Sequence, residues 1–122
     1  MKATITSLIF LLLSLTVSSQ TYKYIGIEEG LSNQKIYKIQ KDARGYMWFL
    51  THVGIDQYNG KEIKHYKLRE GNRELDPLLN INWTFLDKTG TLLVTGKQGR
   101  IFRYDSGHDR FVQIYNMYNY WN

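Results

Sequence analysis

The tetrapeptides Asp42-Ala43-Arg44-Gly45 and Asp87-Lys88-Thr89-Gly90 constrain this chain more than any other feature, because each sits inside a similar run of short apolar segments. Asp accepts a local backbone N–H and Gly takes the left-handed conformation that closes a turn, so each tetrapeptide reads as a link between two strands. Candidate strands lie at 36–41, 46–51, 55–58 and 62–66 around the first, and at 81–86, 91–95, 100–104 and 111–115 around the second. The offset from Asp42 to Asp87 is 45 positions. The second copy is one residue shorter before Thr95 than the first is before Thr51. It is two residues longer from Thr95 to Tyr104 than the first is from Thr51 to Tyr58. No stretch holds a 3.6-residue apolar period, which argues against helices.

A four-stranded unit that recurs about every 40–50 residues is the signature of a β-propeller blade. The expected fold is therefore all-β, with two four-stranded antiparallel meanders of an incomplete propeller. Residues 28–66 form one blade, 67–80 a surface linker carrying Pro77, 81–115 a second blade, and 116–122 a tail that could open a third. Asn59-Gly60 predicts a type I′ hairpin turn. Two sheets alone are expected to leave apolar faces and strand edges uncovered.

The first twenty residues, MKATITSLIFLLLSLTVSSQ, have one positive charge, an apolar core of about ten residues and then small residues. That order predicts a signal peptide over 1–19, cut after Ser19, with 20–122 as the exported chain. A membrane span needs roughly twenty apolar residues. The chain has no cysteine, which excludes disulfides, Cys nucleophiles and Cys-bound metals. Its net charge of +5 is spread along the sequence rather than gathered in a stripe, so no nucleic-acid partner is expected.

The sequence Glu29-Gly30-Leu31-Ser32, Ile36, Asp42-x-x-Gly45-x-Met47-Trp48-Phe49-x-Thr51-x-x-Gly54-Ile55-x-x-Tyr58-Asn59-Gly60, Ile63 and Tyr66 closely resembles the two-component regulator propeller repeat. The resemblance is dense over 28–66 and sparse over 81–115. Leu50 stands where the family usually has Gly, and Leu92-Leu93-Val94 where a Trp is usual. It implies a periplasmic sensor region of a hybrid two-component system, with an oligosaccharide as ligand and a histidine kinase elsewhere in the parent protein.

The repeat residues Asp42, Gly45, Trp48, Thr51, Gly54, Tyr58, Asn59, Gly60, Asp87, Gly90, Thr95, Gly99 and Tyr104 are expected to build the blades rather than contact ligand. Trp48 in particular is assigned to core packing between blades. His52 is the one candidate ligand contact, because it lies in a loop between strands. His52, His65 and His108 lack the close spacing of a metal site, so no metal and no cofactor are expected. Gly96-Lys97-Gln98-Gly99 joins two strands and reads as a hairpin turn. Asn82-Trp83-Thr84 has the form of a glycosylation acceptor but falls inside a strand. Glu28, Glu29, Asp56, Glu62, Asp87, Asp105 and Asp109 form no pair that two blades would frame across a hydrolase cleft.

These readings favour a non-enzymatic N-terminal fragment of a periplasmic ligand-sensing propeller, from a truncated or split reading frame. The alternative is a small secreted carbohydrate-binding or scaffolding protein that self-associates to complete a propeller. The remaining blades, or other copies of the chain, are the partners these two readings require.

Overall fold

The computed structural model describes residues 2–5, 18–77 and 81–120. The apolar core of the expected signal peptide and the end of the linker lie outside the described residues. Within them, no helix is long and apolar enough to cross a membrane.

Ten strands follow in order: β1 Ile36–Lys41, β2 Met47–Thr51, β3 Gly54–Tyr58, β4 Ile63–Tyr66, β5 Arg69–Glu70, β6 Arg73–Glu74, β7 Trp83–Leu86, β8 Leu92–Thr95, β9 Arg100–Asp105 and β10 Arg110–Asn116. They form two four-stranded antiparallel meanders, β1-β2-β3-β4 and β10-β9-β8-β7, and one two-stranded hairpin, β5-β6. Both meanders fall where the turn signals put them.

Each Asp is bound to its own turn in the way the motif requires. Asp42 Oδ1 accepts the amides of Arg44 and Tyr46 at 2.9 and 3.0 Å, and its Oδ2 accepts Trp48 Nε1 at 2.8 Å. Asp87 Oδ1 accepts the amides of Thr89 and Thr91 at 2.8 and 3.0 Å. Where Asp42 has the indole, Asp87 Oδ2 takes Arg103 Nε at 2.9 Å. Arg103 is the cross-strand partner of Leu93, which stands six positions after Asp87 as Trp48 stands six after Asp42. An arginine from the neighbouring strand thus supplies the N–H that the missing Trp would have given. The Thr89 hydroxyl, together with the Thr91 amide and Arg103, holds the Asp87 carboxyl well below the usual carboxylate range.

Strand alternation puts Trp48 and Leu50 on one face of the first sheet with their partners Gln57 and Ile55. That face packs on Leu92, Val94, Phe102, Tyr104 and Phe111 of the second sheet. Trp48, Tyr66, Tyr104 and Phe111 form a closed aromatic cluster, with ring centroids from 4.7 to 5.8 Å apart. Trp48 faces the second sheet, whereas Leu93 sits on the opposite face of β8 from Leu92 and Val94. The two sheets are therefore stacked front to back, as successive blades are.

The far face of the first sheet is covered by the preceding segment. Leu31 is buried there, and Ser32 donates from its amide and hydroxyl to Asp56 at 2.8–2.9 Å. With both faces covered, Gly54, Ile55, Asp56 and Gln57 of β3 are all buried. The outer face of the second sheet has no such cover among the described residues, and Trp83, Phe85, Val112 and Tyr115 are exposed on it.

Two local expectations are corrected. The Asn59-Gly60 turn is not type I′, because only Gly60 has positive φ and a type I′ turn needs it at both central residues. Residues 59–62 instead form a longer loop in which Asn59 Oδ1 accepts the amides of Lys61 and Glu62, both at 2.9 Å. The segment after Tyr66 is more than a surface connection. Leu68 and Leu75 enter the core, and the β5-β6 hairpin projects between them. Beyond β10, Met117–Tyr120 forms a 3₁₀ turn.

Candidate functional site

The two sheets converge along β1 and β7 and spread apart toward β4 and β10, where β5 fills the gap against β10. At the narrow edge lies a cavity of about 280 Å³, lined by Tyr37, Lys38, Leu50, Ile81, Asn82 and Trp83 among others. Lys38 spans the gap, donating to the Thr84 carbonyl at 2.8 Å with its amine 3.8 Å from the centre of the Trp83 ring. Tyr37 and Trp83 are 55% and 58% exposed, so two aromatic surfaces flank one cavity.

His52, the residue singled out by its loop position, stacks against Tyr37 with centroids 5.0 Å apart. Its Nδ1 is hydrogen-bonded to the Tyr37 hydroxyl. The imidazole therefore orients Tyr37 from behind and is not itself among the residues lining the cavity. Tyr37 and Trp83 are 46 positions apart and meet only because the blades stack.

The repeat residues are occupied in building the blades. Trp48 is fully buried. Thr51 Oγ1 donates to the Gly54 carbonyl at 3.1 Å and accepts the Val53 amide at 3.3 Å, closing the β2–β3 turn. Thr95 Oγ1 donates to the Trp83 carbonyl at 3.3 Å, and Gly99 ends the tight turn into β9. Tyr58 OH donates to the Gly60 carbonyl at 2.7 Å.

A Ser-Asp-His cluster comes together that is not apparent in the sequence. Asp56 is fully buried and bridges Ser32 Oγ and His65 Nδ1, the latter at 2.8 Å. A nucleophilic triad needs His between Ser and Asp. Here Asp stands in the middle, and the serine hydroxyl is spent on fastening the segment that covers the sheet. Among the described residues no group of three or more His, Asp or Glu side chains could hold a metal ion.

At the wide edge, Asp109 Oδ1 accepts the hydroxyls of Tyr66 and Tyr104 at 2.6 and 2.7 Å, and Oδ2 pairs with Lys64 at 3.1 Å. The Tyr66 and Tyr104 hydroxyls, with Lys64, pull the Asp109 carboxyl down to about 2. Burial, reinforced by Asp109, pushes the Tyr66 hydroxyl up. A depressed carboxylate stabilises the fold above its unfolded value near 3.8, and that contribution is lost as pH falls toward about 2. Asp109 is half exposed, so screening reduces the effect to about 1 kcal/mol. Thermal melts between pH 4 and pH 2.5 should show a steeper loss of Tm for the parent chain than for Asp109→Asn; parallel curves would remove Asp109 from the account.

Two meanders of four strands, stacked front to back and joined through a Trp-centred core, are β-propeller blades. Residues 30–52, from the covering segment through β2, match the family model described as Two component regulator propeller. The matched stretch takes in β1 and β2 of the first blade and none of the second. No curated protein gives a significant match to the chain.

Proposed function

We propose that this chain serves in an exported, periplasmic ligand-sensing propeller region of a hybrid two-component system, and that it takes an oligosaccharide at the narrow-edge cleft. The propeller repeat in the first blade supports the sensing role, and it is the family of a repeat rather than of an enzyme. The observation that carries the ligand assignment is the pair of exposed rings, Tyr37 and Trp83, on either side of one cavity. Aromatic faces offer flat apolar area, which complements the C–H face of a pyranose, while a polar tip or neighbour holds its hydroxyls. Lys38 and Asn82 supply such neighbours.

The test is a titration of the purified chain with a panel of neutral oligosaccharides, followed by tryptophan fluorescence and calorimetry. Tyr37→Ala and Trp83→Ala should each weaken binding at least tenfold. His52→Ala, which only unsettles Tyr37, should cost less. Binding that both ring deletions leave unchanged would remove the cleft as the site.

A second reading, a carbohydrate-binding or scaffolding protein that self-associates, is favoured by a separate observation. Phe85, Val112 and Tyr115 are exposed together on the outer face of the second sheet. Light scattering should then give a discrete oligomer that Phe85→Lys converts to monomer; a monomeric parent chain would count against it.

A further inference from the structure

Asn59-Gly60 is the only Asn-Gly pair in the chain, and the loop it opens between β3 and β4 is exposed throughout residues 59–62. The Asn59 side-chain carbonyl is held by that loop, since its Oδ1 accepts the amides of Lys61 and Glu62, each at 2.9 Å. Two backbone N–H groups converging on one carbonyl oxygen at this distance have the geometry of an oxyanion hole, which favours negative charge developing on the oxygen. The amide of Gly60, the next group along the chain, donates to nothing among the described residues. Gly60 has φ +95°, and nothing lies within 4 Å of where a Cβ would stand, so the loop is open to water and hydroxide on that side.

Asn33 and Asn116 supply the contrast. Each accepts a single amide, from Lys35 at 2.7 Å and from Tyr118 at 3.1 Å. Each is followed by a residue with a long side chain, Gln34 or Met117, where Asn59 is followed by glycine.

We propose that Asn59 is a self-modification site, at which the loop promotes loss of the side-chain amide and the product loosens the start of β4. The Gly60 nitrogen gives its proton to hydroxide and bonds to Asn59 Cγ, while the carbonyl electron pair moves onto Oδ1 between the two amides. When that pair returns, the bond from Cγ to Nδ2 breaks, and Nδ2 leaves as ammonia with a proton from water. The cyclic succinimide is then opened by one water molecule. Addition at Cγ gives an aspartyl side chain, and addition at the main-chain carbonyl gives isoaspartate. One water is consumed and one ammonia released, with no change in oxidation state.

The two products differ in what they do to the sheet. An aspartyl carboxylate still accepts the Lys61 and Glu62 amides, now as a charged acceptor. Isoaspartate routes the main chain through Cβ, which lengthens the loop by one carbon just beyond the Tyr58–Ile63 pair. Ile63 lies beside Gly30 of the segment that covers the first sheet, so the change reaches that cover as well.

The experiment is timed incubation of the full chain at neutral and mildly alkaline pH, with peptide mapping by mass spectrometry and separation of the isoaspartyl form. Asn59 should convert at least threefold faster in the folded chain than in the same chain held in denaturant, and faster as pH rises. Asn33 and Asn116 should stay intact over the time in which Asn59 is half converted. Lys61→Pro, which removes one of the two N–H donors, should slow conversion severalfold. The isoaspartyl fraction should melt earlier than the parent, and Asn59→Asp should melt with it. Conversion that is equal or slower in the folded chain, or equal at Asn33, would overturn the proposal whether or not Lys61→Pro folds. An isoaspartyl fraction that melts with the parent would overturn the loosening of β4.

Discussion

Trp48→Ala should leave the chain largely unfolded. Deleting a fully buried Trp costs about 3–5 kcal/mol in other cores, and here it opens the centre of a four-ring cluster that joins the two sheets. It also strips the buried Asp42 Oδ2 of its indole donor, adding about 1–3 kcal/mol for an unmet acceptor in a buried setting. Against a typical domain stability of about 5–15 kcal/mol, that loss leaves little or nothing. Denaturant unfolding followed by circular dichroism checks it, with Trp48→Phe as the informative control. Phe keeps most of the ring packing and loses the N–H, so its deficit should be the smaller one. If Trp48→Ala unfolded at the same denaturant midpoint as the parent, the two sheets would not share this core.

Gly90→Ala should be the second most damaging change, and Gly45→Ala the comparison that explains it. Both glycines have positive φ, +75° at Gly90 and +87° at Gly45, and each closes an Asp-x-x-Gly turn. A side chain in that region costs about 1 kcal/mol by itself. At Gly45 nothing lies within 4 Å of an added Cβ, so the cost should stop there. At Gly90 the added Cβ would overlap Ala43 Cβ, in a contact where the Ala43 amide donates to the Gly90 carbonyl at 3.0 Å. Separating the two turns also breaks that hydrogen bond between blades, bringing the expected loss to about 2–4 kcal/mol. Equal midpoints for the two variants would show that the turns do not touch.

The meanders were legible in the sequence because each strand is local, with short apolar runs between turn residues, and because the Asp-x-x-Gly turn occurs twice. Trp48 as a packing residue followed from the same repetition. What stayed hidden depends on stacking or on unmarked chemistry. The β5-β6 hairpin has strands of two residues each and no apolar alternation, so nothing separated it from a polar linker. Asn59-Gly60 has the residues of a two-residue turn, yet the Asn59 side chain caps a longer loop. Tyr37 and Trp83 look like ordinary strand aromatics until β1 and β7 are brought side by side. Arg103 replaces the indole of a missing Trp from another strand, which only the cross-strand register reveals. His52 stacks on Tyr37 and bonds its hydroxyl, a pairing across fifteen positions that the sequence did not mark.

The narrow-edge cleft exists only where two blades pack front to back through Trp48. The most direct measurement is a proton–proton Overhauser spectrum of the chain in solution. Contacts from the Trp48 ring to the rings of Tyr104 and Phe111, whose centroids lie 4.7 and 5.6 Å away, and from the Ala43 amide to Gly90, should all be present. Sequential and within-sheet contacts alone, with none between residues 36–66 and 83–116, would contradict the account.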